Sequence, residues 1–247
     1  MTNFNEVLIH ASSVGKLFTE PKEKALKEAG ELSATTKMHL IETYILHKYN
    51  RKKEVETKQM TKGKKAEEES LLLLSKTLGY LLDKNEEKIR NEYIIGTPDT
   101  YIGESLQKAE VIIDVKSSWD IFSFLSNVES KLDPVYYYQL QSYMWLSGAE
   151  LGYVAFCLVD MPPDMLNDEK QRLLYKTMAI SEESPEFKAE WSKKLPQFIY
   201  PDIPEKERIL IFPVEKDPTF PEKCKQKVEK AKSFLKYFEI RHLSFNN

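Results

Sequence analysis

Asp99, Asp114 and Lys116 are the residues of this chain whose types and spacing point most directly to chemistry. Asp99 closes the segment Gly96-Thr97-Pro98-Asp99, and Asp114 and Lys116 sit two apart in Glu110-Val111-Ile112-Ile113-Asp114-Val115-Lys116. An acid-x-Lys tripeptide has little weight by itself, since Glu56-Thr57-Lys58, Glu86-Glu87-Lys88 and Glu186-Phe187-Lys188 repeat it. Only the copy at Asp114 lies in a β-rich run. Side chains alternate between the two faces of a strand, so Val111, Ile113 and Val115 share one face and Ile112, Asp114 and Lys116 the other. Charge on so apolar a strand is costly to bury unless it is paired or bound to metal. Two nearby carboxylates make a hard-oxygen site suited to magnesium or manganese, ions that keep several waters and take phosphate oxygens as further ligands. A lysine facing the same way can orient the attacking water or stabilise charge on a pentacoordinate phosphate. The chemistry indicated is phosphodiester hydrolysis.

Several elements must position these groups. Tyr93-Ile94-Ile95 predicts a strand that ends in the Gly96–Asp99 turn, and two hairpin-like strands would bring Asp99 and Asp114 together. Glu67, Leu71, Leu74 and Leu78 recur at the spacing of one helical face, which turns Glu67 toward the core as a further metal or water ligand. The alternative for Glu67 is an acid at a helix start, favoured there by the macrodipole. Gln139 and Tyr143 share a face of a helix that opens with Asp133 as cap and Pro134 at the first position. Helices are expected near Ser12–Leu17, Ala34–Asn50, Lys62–Leu78 and Pro134–Leu146, with a final one from Pro218 to about Arg241. Strands are expected near Glu92–Ile95, Glu110–Lys116, Gly152–Val159 and Arg208–Val214.

In this order the segments resemble the PD-(D/E)xK nuclease superfamily, and most of all its phage lambda-type exonucleases, the YqaJ-like viral recombinases. That family runs Gly-x-x-x-Glu, Gly-x-x-Asp, acid-x-Lys and Gln-x-x-x-Tyr; this chain offers Gly63 to Glu67, Gly96 to Asp99, Asp114 to Lys116 and Gln139 to Tyr143. The resemblance implies an α/β fold with a mixed central sheet flanked by helices. It implies a catalytic set of Asp99, Asp114, Lys116 and Glu67, with magnesium, or manganese in its place, at Asp99, Asp114, Val115 and Glu67. Gln139 and Tyr143 become accessory residues that support the catalytic strand and approach DNA. Ser12 stands where the family has a serine that contacts a terminal phosphate, but Ser13 replaces the usual arginine, and Lys16 is the available substitute cation. Ser12 is equally readable as a helix cap. The function implied is a double-strand DNA exonuclease of phage recombination, resecting 5′ to 3′, passing single strands to an annealing protein and assembling as a homo-trimer. An endonuclease or repair nuclease on the same core, or a non-catalytic binding protein that keeps the fold, are the alternatives.

Composition agrees with this reading. A chain of 247 residues can bury one sizeable core, so a single domain over 1–247 is expected, its core at about 8–160 joined by a C-terminal strand and helix, with 160–204 as an insertion. Two cysteines, Cys157 and Cys224, indicate no disulfide framework and exclude a four-cysteine iron–sulfur cluster. No apolar run approaches the roughly 20 residues of a bilayer span and no signal-peptide core opens the chain, so no membrane partner and a cytoplasmic location are expected. Net charge is −3, yet Lys48 to Lys65 holds eight basic residues against two acids, a stretch that reads either as a solvated linker with fraying helix ends or as a surface able to neutralise phosphates beside Glu67. The four histidines lack metal-ligand spacing, and eight glycines form neither a P-loop nor a dinucleotide turn.

Overall fold

A computed structural model of the chain describes residues 2–244. The amino-terminal half runs β1 (Ile9–His10), α1 (Ala11–Leu17), α2 (Lys24–Glu28), α3 (Ala34–Tyr49), α4 (Lys58–Lys65), α5 (Glu67–Leu78), β2 (Ile89–Arg90), β3 (Ile94–Gly96) and β4 (Thr100–Gly103). There follow β5 (Ala109–Ser117), α6 (Ile121–Glu129), α7 (Pro134–Ser147), β6 (Leu151–Cys157), α8 (Pro163–Thr177), α9 (Pro185–Lys194), β7 (Ile209–Glu215) and α10 (Phe220–Ser244).

The strand around Asp114 becomes the interior strand β5 of a four-stranded sheet ordered β4-β5-β6-β7. Its pairing with β6 is parallel, whereas β4 with β5 and β6 with β7 are antiparallel, so the sheet is mixed. The alternation in the sequence sorts its two faces. Ile112, Val154 and Phe156 pack with Leu140 and Met144 of α7, while Ile113, Val115, Ala155 and Cys157 pack with Leu71 and Leu74 of α5. A second sheet, β1-β3-β2, joins α1, α3 and α10 around Ile9, Val14, Leu17, Leu40, Tyr44, Ile94, Val228 and Leu235. The result is an α/β sandwich with helices on both sides of a mixed sheet.

Three sequence expectations change. The strand paired with β5 is β4, which was not anticipated, and Tyr93-Ile94-Ile95 contributes instead to β3 of the other sheet. The helix expected over Lys62–Leu78 is two helices, broken at Ala66 with φ −97° and ψ 6°. Tertiary bonding explains the break. Lys62 is fully buried and its ammonium donates to the carbonyls of Ser118, Trp119 and Val159 at 2.8, 2.9 and 3.0 Å, which ties α4 to the ends of β5 and β6. The stripe of Glu67, Leu71, Leu74 and Leu78 holds through Leu74, but Leu78 is 42% exposed. The segment 160–204 contains α8 and α9, seated on Trp119 through Met161, Met165, Phe198 and Trp191.

Candidate active site

The β4–β5 ladder sets the carboxylate pair. Thr100 lies opposite Ile113, so Asp99, one residue earlier, arrives beside Asp114 and Val115. The Val115 amide donates to Asp99 Oδ2 at 2.7 Å. Asp114 is fully buried, and the Gln139 side-chain amide donates to its Oδ1 at 2.9 Å. Lys116 Nζ stands 2.6 Å from Asp114 Oδ2, an ion pair by separation that lacks hydrogen-bond alignment, and among the described residues no other donor reaches that oxygen. The same ammonium lies 5.4 Å from the centre of the Tyr136 ring.

The electrostatics follow from this packing. Burial pushes the Asp99 carboxyl well above the usual carboxylate range, the Asp114 charge adds to it, and Lys116 with the Val115 amide opposes both. For Lys116 burial acts downward, but Asp114 and Asp99 outweigh it and hold its pKa above the ordinary lysine value. The amine therefore keeps its proton at neutral pH and acts as a cationic donor.

Behind the carboxylates, α7 supplies a polar brace. Gln139 also donates to the Tyr143 hydroxyl at 3.0 Å, and that hydroxyl donates to the Thr97 carbonyl at 3.2 Å. Tyr143 gets this close because Gly96 has no side chain: a Cβ there would stand 2.5 Å from Tyr143 Cε1 and 2.9 Å from the Ala11 Cβ. Gly15 serves similarly where α1 meets α7, since a Cβ would stand 2.9 Å from Val135 Cα. Gln139 and Tyr143, expected to support the catalytic strand and approach DNA, are both buried and hold Asp114 and the Thr97 turn.

The side chains of the remaining candidates make no hydrogen bond or ion pair with Asp99, Asp114 or Lys116 among the described residues. Glu67 begins α5 as a half-buried residue and pairs with Lys84 at 3.2 Å. Its charge still reaches Asp99, raising that carboxyl further. The Val115 side chain packs on the opposite sheet face, so its role at the centre is made by its backbone. Helix α1 opens with His10 in the capping position, which leaves exposed Ser12 inside the helix and not its cap. Lys16 is half-buried in the last turn of the same helix. The basic stretch is also divided. Lys48 pairs with Glu239, Lys58 with Glu169, Lys64 with Glu56 and Lys65 with Asp164, and Lys62 is buried. Tyr136 and the Lys84 partner of Glu67 escaped the sequence reading; Tyr136 had a signal, since it falls three residues before Gln139 on the face that carries Tyr143.

Two features bear on a metal. Among the described residues no group of three or more His, Cys, Asp and Glu side chains closes into a metal cage. Asp114 Oδ2 is buried and has no hydrogen-bond donor among the described residues, and the Asp114 charge adds to the burial that disfavours the charged form of Asp99. That donor set fits a hard divalent cation bound by one or two carboxylates and otherwise by water and phosphate oxygens, and it does not fit a closed all-protein site.

A buried acid pair, an acid-x-Lys strand and a Gln-x-x-x-Tyr brace on a mixed sheet define the fold of the PD-(D/E)xK nucleases. Three of the solved structures that this chain resembles are exonucleases. A phage-related exonuclease from Haemophilus somnus 129PT shares 29% sequence identity, with 97% of this chain and 98% of that one aligned at a TM-score of 0.73. An alkaline exonuclease from Laribacter hongkongensis aligns over 98% of this chain and 94% of its own at a TM-score of 0.62 and 13% identity. The latter in complex with dAMP aligns over 96% and 94%, with a TM-score of 0.60 and 13% identity. No protein-family model and no curated protein matches the chain. The likeness to these neighbours supports a nuclease.

Proposed function

We propose that this protein is a magnesium-dependent exonuclease of double-stranded DNA, with manganese as a substitute ion. The observation that carries the reading is Asp114, buried on an interior strand with one oxygen held by Gln139 and the other left to Lys116 and an incoming cation. Asp99 and Asp114 would hold the metal. When bound, magnesium supplies positive charge to the phosphate and a water of lowered pKa.

The chain's own groups then divide the work. Hydrolysis joins a water oxygen to phosphorus, breaks one ester P–O bond and delivers a proton to the departing oxygen. Asp99 and Asp114 accept hydrogen bonds from the attacking water and orient it. Lys116 stays protonated beside them, so it donates to a non-bridging phosphate oxygen as charge builds there and does not act as the base. Gln139 holds Asp114 in one orientation, and the Val115 amide does the same for Asp99.

The likeness to exonucleases and the dAMP bound by one of them support a nucleotide polymer cut from its end. The family resemblance extends the proposal to 5′-to-3′ resection in phage recombination, delivery of single strands to an annealing protein, and a homo-trimer. Digestion of end-labelled linear duplexes beside closed circles, in magnesium and in chelator, tests it. Linear molecules should be shortened from labelled 5′ ends in magnesium alone. Efficient cutting of circles would replace the exonuclease reading with an endonuclease.

A further inference from the structure

Lys116 is held by one charged partner and one uncharged ring. Its ammonium stands 2.6 Å from Asp114 Oδ2 without hydrogen-bond alignment, and it lies over the Tyr136 ring at 5.4 Å from the ring centre. At that distance the negative face of an aromatic ring attracts a cation. Among the described residues the ammonium makes no other ion pair and donates no other hydrogen bond.

The fold builds this contact from three elements. Lys116 of β5 lies opposite Phe156 of β6 in the parallel ladder, so both side chains stand on one face of the sheet. Tyr136 reaches that face from the first turn of α7, which Asp133 and Pro134 start, and its ring meets Phe156 edge-on, with centroids 5.9 Å apart and planes at 68°. Phe156 meets Phe212 of β7 in the same way at 5.6 Å. Aromatic edges therefore brace the Tyr136 ring, while its hydroxyl makes no hydrogen bond among the described residues.

Asp114 alone is a poor anchor for Lys116. A lysine has a flexible four-carbon stem, and Asp114 Oδ2 is also the oxygen left open to a hard cation. An ammonium and a divalent cation on one carboxylate repel each other. A ring face attracts the ammonium yet offers no oxygen ligand to a hard cation, so it can hold Lys116 whether or not Asp114 is engaged.

We infer that Tyr136 is a positioning residue: the face of its ring, and not its hydroxyl, holds the Lys116 ammonium beside Asp114 for its work on the phosphate. The inference rests on the nuclease reading above. The test replaces Tyr136 by Phe, by Leu, and by mono-, di- and trifluorinated phenylalanine. Fluorine draws charge from the ring face and changes its shape little, so the series separates attraction of a cation from packing. For each protein kcat and KM are measured on linear duplex in magnesium. Duplex affinity, urea unfolding and the NMR shift of the Lys116 ε-methylene protons are measured in chelator, since protons over a ring face are shifted upfield.

Tyr136→Phe should keep kcat within about twofold and Tyr136→Leu should lower it about 10- to 30-fold, with KM and duplex affinity within about twofold in both. Each added fluorine should lower kcat further. The upfield shift should persist in Tyr136→Phe and vanish in Tyr136→Leu. Equal kcat across the fluorinated series would overturn the inference, and that series keeps the ring, so it decides even where Tyr136→Leu unfolds at lower urea. A Tyr136→Phe protein as slow as Tyr136→Leu would move the role to the hydroxyl and overturn it as well. Losses confined to KM and duplex affinity would make Tyr136 a DNA contact and overturn the positioning role, leaving the nuclease reading standing. An unaltered protein that cuts no DNA would overturn that reading and this role together.

Discussion

The side-chain amide of Gln139 bridges Asp114 Oδ1 and the Tyr143 hydroxyl, at 2.9 and 3.0 Å, and so ties the central carboxylate to helix α7. If Gln139 acts by orienting Asp114, Gln139→Leu should lower kcat about 10- to 100-fold, the usual cost of losing such a supporting partner. KM for DNA should stay within about twofold. A rise in KM with kcat intact would make Gln139 a DNA-binding residue.

Gly96→Ala should damage the same brace from the other side. Its methyl would need the space 2.5 Å from Tyr143 Cε1, and overpacking of this kind costs about 1–3 kcal/mol. Urea unfolding should register that loss, and cleavage should fall because Tyr143 can no longer reach the Thr97 carbonyl. Stability equal to that of the unaltered protein would contradict the close approach.

Asp99 predicts an unusual pH dependence in chelator. Its carboxyl is pushed up to about 7, so the folded form holds a proton that the unfolded form releases near pH 4. The protonated group stabilises the fold at low pH, and that contribution is lost as pH rises from about 4 through about 7. Asp99→Asn, a permanently neutral isostere, should therefore be more stable at pH 8 by roughly 2 kcal/mol while losing cleavage. Thermal melts of both proteins at pH 5 and pH 8 read the difference. A variant less stable at pH 8 would reverse the sign and contradict the account.

Lys62 carries a structural prediction. Lys62→Met removes an ammonium that serves three carbonyls, and leaving buried acceptors unpaired costs about 1–3 kcal/mol each. The Tm should drop by several degrees, with α4 the first segment to lose hydrogen-exchange protection. An unchanged Tm would mean that water replaces the amine.

The parts legible in the sequence were those with a single dominant period. Alternation at Val111 to Lys116 placed Asp114 and Lys116 on one face of β5, and Asp133-Pro134 fixed the start of α7. The short strands β1, β2 and β4, of two to four residues, carry too little pattern to be seen, which is why β3 was mistaken for the partner of β5. The break at Ala66 was invisible because its cause is distant: Lys62 bonds carbonyls at Ser118, Trp119 and Val159. Burial of Gln139 and Tyr143 behind Asp114 was equally a property of the assembled fold, and spacing alone could only put them on one face.

The central claim is that Asp99, Asp114 and Lys116 form one metal-dependent hydrolytic centre. The most direct measurement is cleavage of a linear duplex by the unaltered protein, Asp114→Asn and Lys116→Ala, in magnesium and in chelator, with duplex affinity measured alongside in calcium. Magnesium-dependent cleavage should vanish in Asp114→Asn and fall by at least about 100-fold in Lys116→Ala, with duplex affinity in Lys116→Ala little changed, as expected for a group that acts on the transition state. Undiminished cleavage by a folded Asp114→Asn protein, or cleavage that persists in chelator, would contradict the account.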